Sequence, residues 1–137
     1  MTYGALFSTQ LVRDGRYAEA IETASREIAT QPDEPEAFFN RGQALTLLGR
    51  FDEAVADYER ALTLDDSASA VDPESIDDEL FFALRSAAEA RKADPAEAIG
   101  TLERYRQILP HGRHVDDIAK WRDSFNGVET VWVRERV

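Results

Sequence analysis

Residues 35–68 read PEAFFNRGQALTLLGRFDEAVADYERALTLDDSA, and this stretch decides the fold. Phe38, Gly42 and Leu45 recur at helical spacing, Gly49 interrupts the run, and Ala54, Tyr58, Ala61 and Leu62 resume it. The pattern predicts two helices joined by a tight turn. Pro35 suits a first helical turn, where its missing N–H is harmless. Gly49 suits the left-handed residue that follows a helix.

The same unit precedes this one. A shift of 34 residues superposes Leu11 on Leu45, Gly15 on Gly49, Arg16 on Arg50, Glu19 on Glu53, Ala20 on Ala54 and Arg26 on Arg60. Tyr17 falls on Phe51 and Ile21 on Val55, both close in volume. A third copy follows at a shift of 44, where Asp52-Glu-Ala-Val55 meets Ala96-Glu-Ala-Ile99. The repeats are therefore 1–34, 35–68 and 79–112, with residues 69–78 inserted before the last. Asp72-Pro73 and Asp94-Pro95 each pair an N-cap with a proline at the first helical position. The first helix of the third unit is thus expected from near Pro73 to about Lys92, longer than its counterparts. Ala93 stands where the other units have glycine.

Each unit buries its apolar face only against neighbours, so the last one needs a cover. Residues 113–125 supply it: Val115, Ile118, Trp121 and Phe125 form one stripe with charges behind. The tail, 126–137, changes character at Val131-Trp132-Val133, which favour an extended strand. A lone strand must dock on the helices, pair with another chain or stay loose. Pairing would make a homodimer through the tail, and the alternative to an interaction module is a homo-oligomeric assembly protein joined through the capping helix and the Trp132 tail.

The landmark set resembles the tetratricopeptide repeat, with Phe38, Gly42, Leu45, Gly49, Phe51, Ala54, Tyr58 and Ala61 at its characteristic positions. The resemblance implies an all-α, right-handed superhelical solenoid of three helix-turn-helix repeats over 1–125, with a capping helix and a short extended tail. It also implies a groove lined by the first helices. From the first unit this groove would take Ala5, Thr9, Val12 and Arg13. The second would contribute Glu36, Phe39, Gln43, Thr46 and Leu47, and the third Leu80, Ala83, Ala87 and Arg91. A peptide or partner helix with apolar anchors suits such a trough. One subclass grips a C-terminal carboxylate with basic and amide groups. Asn40 fits that scheme, but Thr2, Ala5 and Thr9 do not supply what it needs.

Composition narrows the chemistry. With 137 residues the chain can build its own core, and without cysteine it has no disulfide, zinc thiolate or thiol nucleophile. A net charge of −11 argues against nucleic acid, because phosphate contacts need cations. Apolar runs are too short to span a membrane, and the N-terminal residues lack a signal-peptide pattern, so a cytoplasmic location is expected. From Asp65 to Glu79 there are seven carboxylates and no base, which reads as a solvated helix start. His111, His114 and Asp117 could share a metal only if both histidines faced one way, and His111 sits in a turn. No phosphate loop or nucleophilic triad is present. The expectation is a non-catalytic interaction module that needs no cofactor.

Overall fold

In a computed structural model that describes residues 6–64 and 71–126, the chain forms seven helices. They are α1 (Phe7–Arg13), α2 (Tyr17–Thr30), α3 (Pro35–Leu47), α4 (Phe51–Thr63), α5 (Pro73–Ala90), α6 (Pro95–Ile108) and α7 (Val115–Phe125). There is no strand among the described residues. Ala5, the acidic stretch 65–70 and the tail beyond Asn126 lie outside them.

Two compact units divide the chain, Met1–Ala83 and Leu84–Val137. In the first, α1 packs on α2, α2 on α3 and α3 on α4, and α1 also meets α3. The turns within the first two repeats, α1–α2 and α3–α4, share one mechanism. Gly15 and Gly49 have φ of 76° and 79°, a region that costs glycine nothing. This lets the Arg16 N–H reach the Leu11 carbonyl at 2.9 Å and the Arg50 N–H reach Leu45 at 2.8 Å. The carbonyls at the ends of α1 and α3 are thereby satisfied. Small residues set the helix crossings: Ala20, Ala44 and Ala54 are fully buried. Around Leu11, Ala20 and Ala44 pack Val12, Tyr17 and Ile21. Tyr58 fills the space above Gly42, where a Cβ would come within 2.7 Å of its ring.

Buried polar bonds knit the same unit. The Arg41 guanidinium donates twice to the Asp57 carboxylate, at 2.8 Å each, and once to Ser25 Oγ at 3.1 Å, joining α2, α3 and α4. Arg41 also lies over the Phe38 ring, 5.7 Å from its centroid. Ser8 takes the place that Gly42 holds in the next repeat, opposite Ala24 rather than a tyrosine. With no aromatic ring at position 24, a side chain larger than hydrogen is tolerated at position 8. The Ser8 hydroxyl donates to Glu27 at 2.5 Å and accepts from Asn40 at 2.9 Å.

In the second unit α6 packs on α7. Ala98, Leu102, Tyr105 and Ile118 are buried, while Val115, Trp121 and Phe125 of the expected stripe are half-buried. The Arg85 guanidinium sits over the Trp121 ring, 5.0 Å from its centroid. Gly112 makes the α6–α7 turn possible, since a Cβ there would overlap the Tyr105 hydroxyl and lie 2.7 Å from Cζ. That hydroxyl accepts the N–H of His114 at 2.9 Å, at the start of α7.

Helix α5 starts at Pro73, as Asp72-Pro73 implies, with the Asp72 carboxylate accepting the Ser75 N–H at 2.8 Å. At 18 residues it exceeds the 13 of α3 by more than a turn.

Candidate functional site

The open face of the first unit is built on α1, α3 and the first half of α5. On α1 it carries Thr9 and Arg13, and on α3 Glu36, Phe39, Gln43 and Leu47, all exposed or half-buried. Two other expected lining residues sit deeper. Val12 packs into the Leu11 cluster, and Thr46 is buried with its hydroxyl donating to the Gly42 carbonyl at 2.8 Å. Leu47 stands 53% exposed at the end of α3.

The third repeat is in a different register from the one expected. Leu80 and Ala83 are fully buried and Ala87 nearly so, which leaves them no surface to offer a visitor. Arg91 lies beyond the helix, in the turn, donating to Thr101 Oγ1 at 2.8 Å. The turn after α5 accommodates this register. Ala93 cannot take the left-handed conformation cheaply, and among the described residues no non-glycine does so. The chain instead reverses through successive i to i+3 bonds, from Arg91, Lys92 and Asp94 to Ala88, Glu89 and Arg91. This uses residues 91–94, one more than 48–50 or 14–16. Counted back from the helix ends, Leu47 corresponds to Ala90, Gln43 to Ser86, Phe39 to Phe82 and Glu36 to Glu79. Burial agrees: Ala37, Phe38, Asn40, Ala44 and Leu45 match Leu80, Phe81, Ala83, Ala87 and Ala88, all buried. Glu79 and Phe82 therefore belong to the face, and Phe82 is 40% exposed. A sequence signal existed: Glu36-Ala-Phe-Phe39 and Glu79-Leu-Phe-Phe82 are the same motif, 43 residues apart.

Hydrogen bonds tie the face together. Thr9 Oγ1 donates to Glu36 at 2.6 Å and accepts from Asn40 Nδ2 at 2.8 Å. Asn40, the amide that fitted a carboxylate clamp, is 97% buried and shared between Ser8 and Thr9. Gln43 bonds to the Glu79 carboxylate; burial nevertheless pushes that carboxyl above its ordinary range, with Asp78 adding to the effect. The Phe39 ring tilts against Tyr58, centroids 5.9 Å apart. Burial drives the Tyr58 phenol far upward as well, so it stays a neutral packing group.

Of the three residues weighed as metal ligands, His111 is exposed in the α6–α7 turn. His114 is half-buried at the α7 N-cap, its Nδ1 3.1 Å from Asp117 Oδ2. The histidines do not share a helix face.

Sequentially packed helical hairpins, with glycine-closed turns and alanine crossings, define a helical-repeat protein. The tetratricopeptide repeat model matches residues 7–69, and that stretch carries tetratricopeptide repeats. The seven helices are consistent with three such repeats followed by one further helix. Repeats of this family generally serve protein–protein interaction and are typically non-catalytic. No curated protein matches the chain. No helix among the described residues is long and apolar enough to cross a membrane.

Proposed function

We propose that this chain is a non-catalytic adaptor that holds a segment of a partner protein against the α1, α3 and α5 face. The observation that carries the reading is the repeated display of half-exposed aromatic side chains, Phe39 and Phe82, at equivalent positions of successive repeats. A large apolar ring kept at the surface in register is what an anchor residue of a partner needs. The face spans few helices, so the buried area is small and affinity is micromolar or weaker.

Phe39→Glu and Phe82→Glu test this. Each is expected to abolish capture of partners by the immobilised protein while the circular dichroism spectrum stays helical. Retention of every partner by both variants would show that this face is not the site.

A further inference from the structure

The chain has two asparagines, Asn40 and Asn126, and the structure holds them in opposite ways. Asn40 lies buried inside α3, its Nδ2 donating to Ser8 Oγ at 2.9 Å and to Thr9 Oγ1 at 2.8 Å. Asn126 is the exposed C-cap of α7, with φ −85° and ψ 1°. Its backbone N–H reaches the Arg122 and Asp123 carbonyls at 3.1 and 3.2 Å, but its side-chain amide makes no hydrogen bond among the described residues. Arg41 follows Asn40, whereas Gly127 follows Asn126.

We propose that Asn126 is a site of self-catalysed deamidation, through a cyclic succinimide closed by the amide nitrogen of Gly127. The Gly127 nitrogen attacks Asn126 Cγ. A new Cγ–N bond forms, the Cγ–Nδ2 bond breaks, and the proton of the Gly127 N–H leaves with Nδ2 as ammonia. Water then opens the ring. Attack at Cγ gives aspartate, and attack at the main-chain carbonyl gives isoaspartate, in which the chain runs through the side chain. No other reactant is needed.

The local structure favours closure at Asn126 and opposes it at Asn40. Glycine carries no Cβ to crowd its own nitrogen as that nitrogen turns toward Cγ. The turn requires ψ of Asn126 to leave 1°, and at a C-cap this rotation breaks none of the hydrogen bonds within α7. Helix ends open at almost no cost. At Asn40 the same rotation would break α3 in its middle, and the amide would have to leave both hydroxyls. The product matters to the second unit, where α7 packs on α6. A carboxylate at the C-terminal end of α7 opposes the helix dipole, and the isoaspartyl form also lengthens the backbone there by a methylene. Deamidation therefore weakens the end of the helix that covers α6.

Peptide mapping of the full chain tests this. The native protein is held in warm neutral buffer and then digested with trypsin in mildly acidic buffer, so that digestion adds no deamidation of its own. Cleavage after arginine places Asn126 in residues 123–134 and Asn40 in residues 27–41. The 123–134 peptide should gain the mass of amide-to-acid exchange with time and split into two isomers, the isoaspartyl one in excess. The 27–41 peptide should keep its mass. Gly127→Ala should remove most of the conversion over the same interval, with the circular dichroism spectrum unchanged. A synthetic peptide of residues 123–134, run alongside, shows that the interval is long enough. An intact 123–134 peptide from the folded chain would overturn the proposal. So would equal conversion of Asn40, or a single aspartyl product, which marks direct hydrolysis without the ring.

Discussion

Gly42 and Gly100 are both helical glycines, and alanine at the two should shift stability in opposite directions. At Gly100, on α6, an added Cβ meets nothing within 4 Å. The substitution there only removes chain entropy from the unfolded state, which stabilises by about 0.4–1 kcal/mol. At Gly42 the same gain competes with a clash. The new Cβ would sit 2.7 Å from Tyr58 Cε1 and 3.0 Å from Cδ1 and Cζ. Tyr58 has no exposed surface to retreat through, and its ring is held by Phe39 and its hydroxyl by Thr46 at 3.4 Å. Overpacking of this kind costs about 1–3 kcal/mol. Gly42→Ala is therefore expected to destabilise by up to about 2 kcal/mol net, and the difference between the two variants isolates the clash at roughly 1–3 kcal/mol.

Urea unfolding followed by far-ultraviolet circular dichroism measures both, each on the unit that contains the residue, with the slope checked for constancy. Adding Tyr58→Leu should lessen the penalty of Gly42→Ala, since Leu102 already holds the equivalent place in the third repeat. A Gly42→Ala variant as stable as Gly100→Ala would refute the close-approach account of this crossing.

Three further outcomes follow from named contacts. Arg41→Ala strands the buried Asp57 carboxylate and should cost roughly 1.5–3 kcal/mol, read from the same urea midpoint, whereas Arg16→Ala, which breaks only the exposed pair with Glu19, should leave it unmoved. Because burial raises the folded-state pKa of Glu79, the folded chain holds that proton more tightly than the unfolded one. Its contribution to stability is fully present below the ordinary glutamate range and is lost as pH rises through the raised value. Glu79→Gln should accordingly raise the melting temperature at pH 7 and change it little at pH 3; a lowered melting temperature at pH 7 would contradict the assignment. Gly112→Ala should loosen α7 through its overlap with Tyr105, seen as faster proteolysis after residue 112 and a partial loss of helical signal.

Much of this architecture was legible because close packing leaves few choices. Gly15 and Gly49 lie where a left-handed residue is required, and Ala20, Ala54 and Ala98 lie where helices cross. The Asp-Pro pairs marked the starts of α5 and α6 to the residue. Less legible were the cross-repeat polar bonds. Nothing local in the sequence announces that Asn40 spans to Ser8 and Thr9, or that Asp57 is the partner of Arg41, because these pairs are 16 to 32 residues apart. Asn40 illustrates the consequence: an amide at a position suited to a ligand is already engaged in holding α1 to α3.

The register of α5 shows where landmark reasoning needs a physical check. Ala98 and its neighbours fix α6, but a helix is tied to the next only through the turn between them. The length of that turn depends on whether a residue can adopt positive φ. Glycine permits the three-residue reversals at 14–16 and 48–50, and its absence at 91–94 adds a residue. One residue on a helix is a rotation of about 100°, enough to carry a side chain from the open face into the core. Leu80 and Ala83 lie inward and Glu79 and Phe82 outward relative to the landmark alignment, by that one residue. Ala93→Gly would permit the three-residue reversal seen in the first two repeats. It should not rotate α5, because turning Leu80, Ala83, Leu84 and Ala87 outward would expose a full apolar face that a single turn bond cannot offset. Fluorescence quenching of a Phe82→Trp reporter, measured with and without Ala93→Gly, checks this. A reporter that becomes shielded on adding the glycine would mean the turn, rather than the core, sets the face that α5 presents.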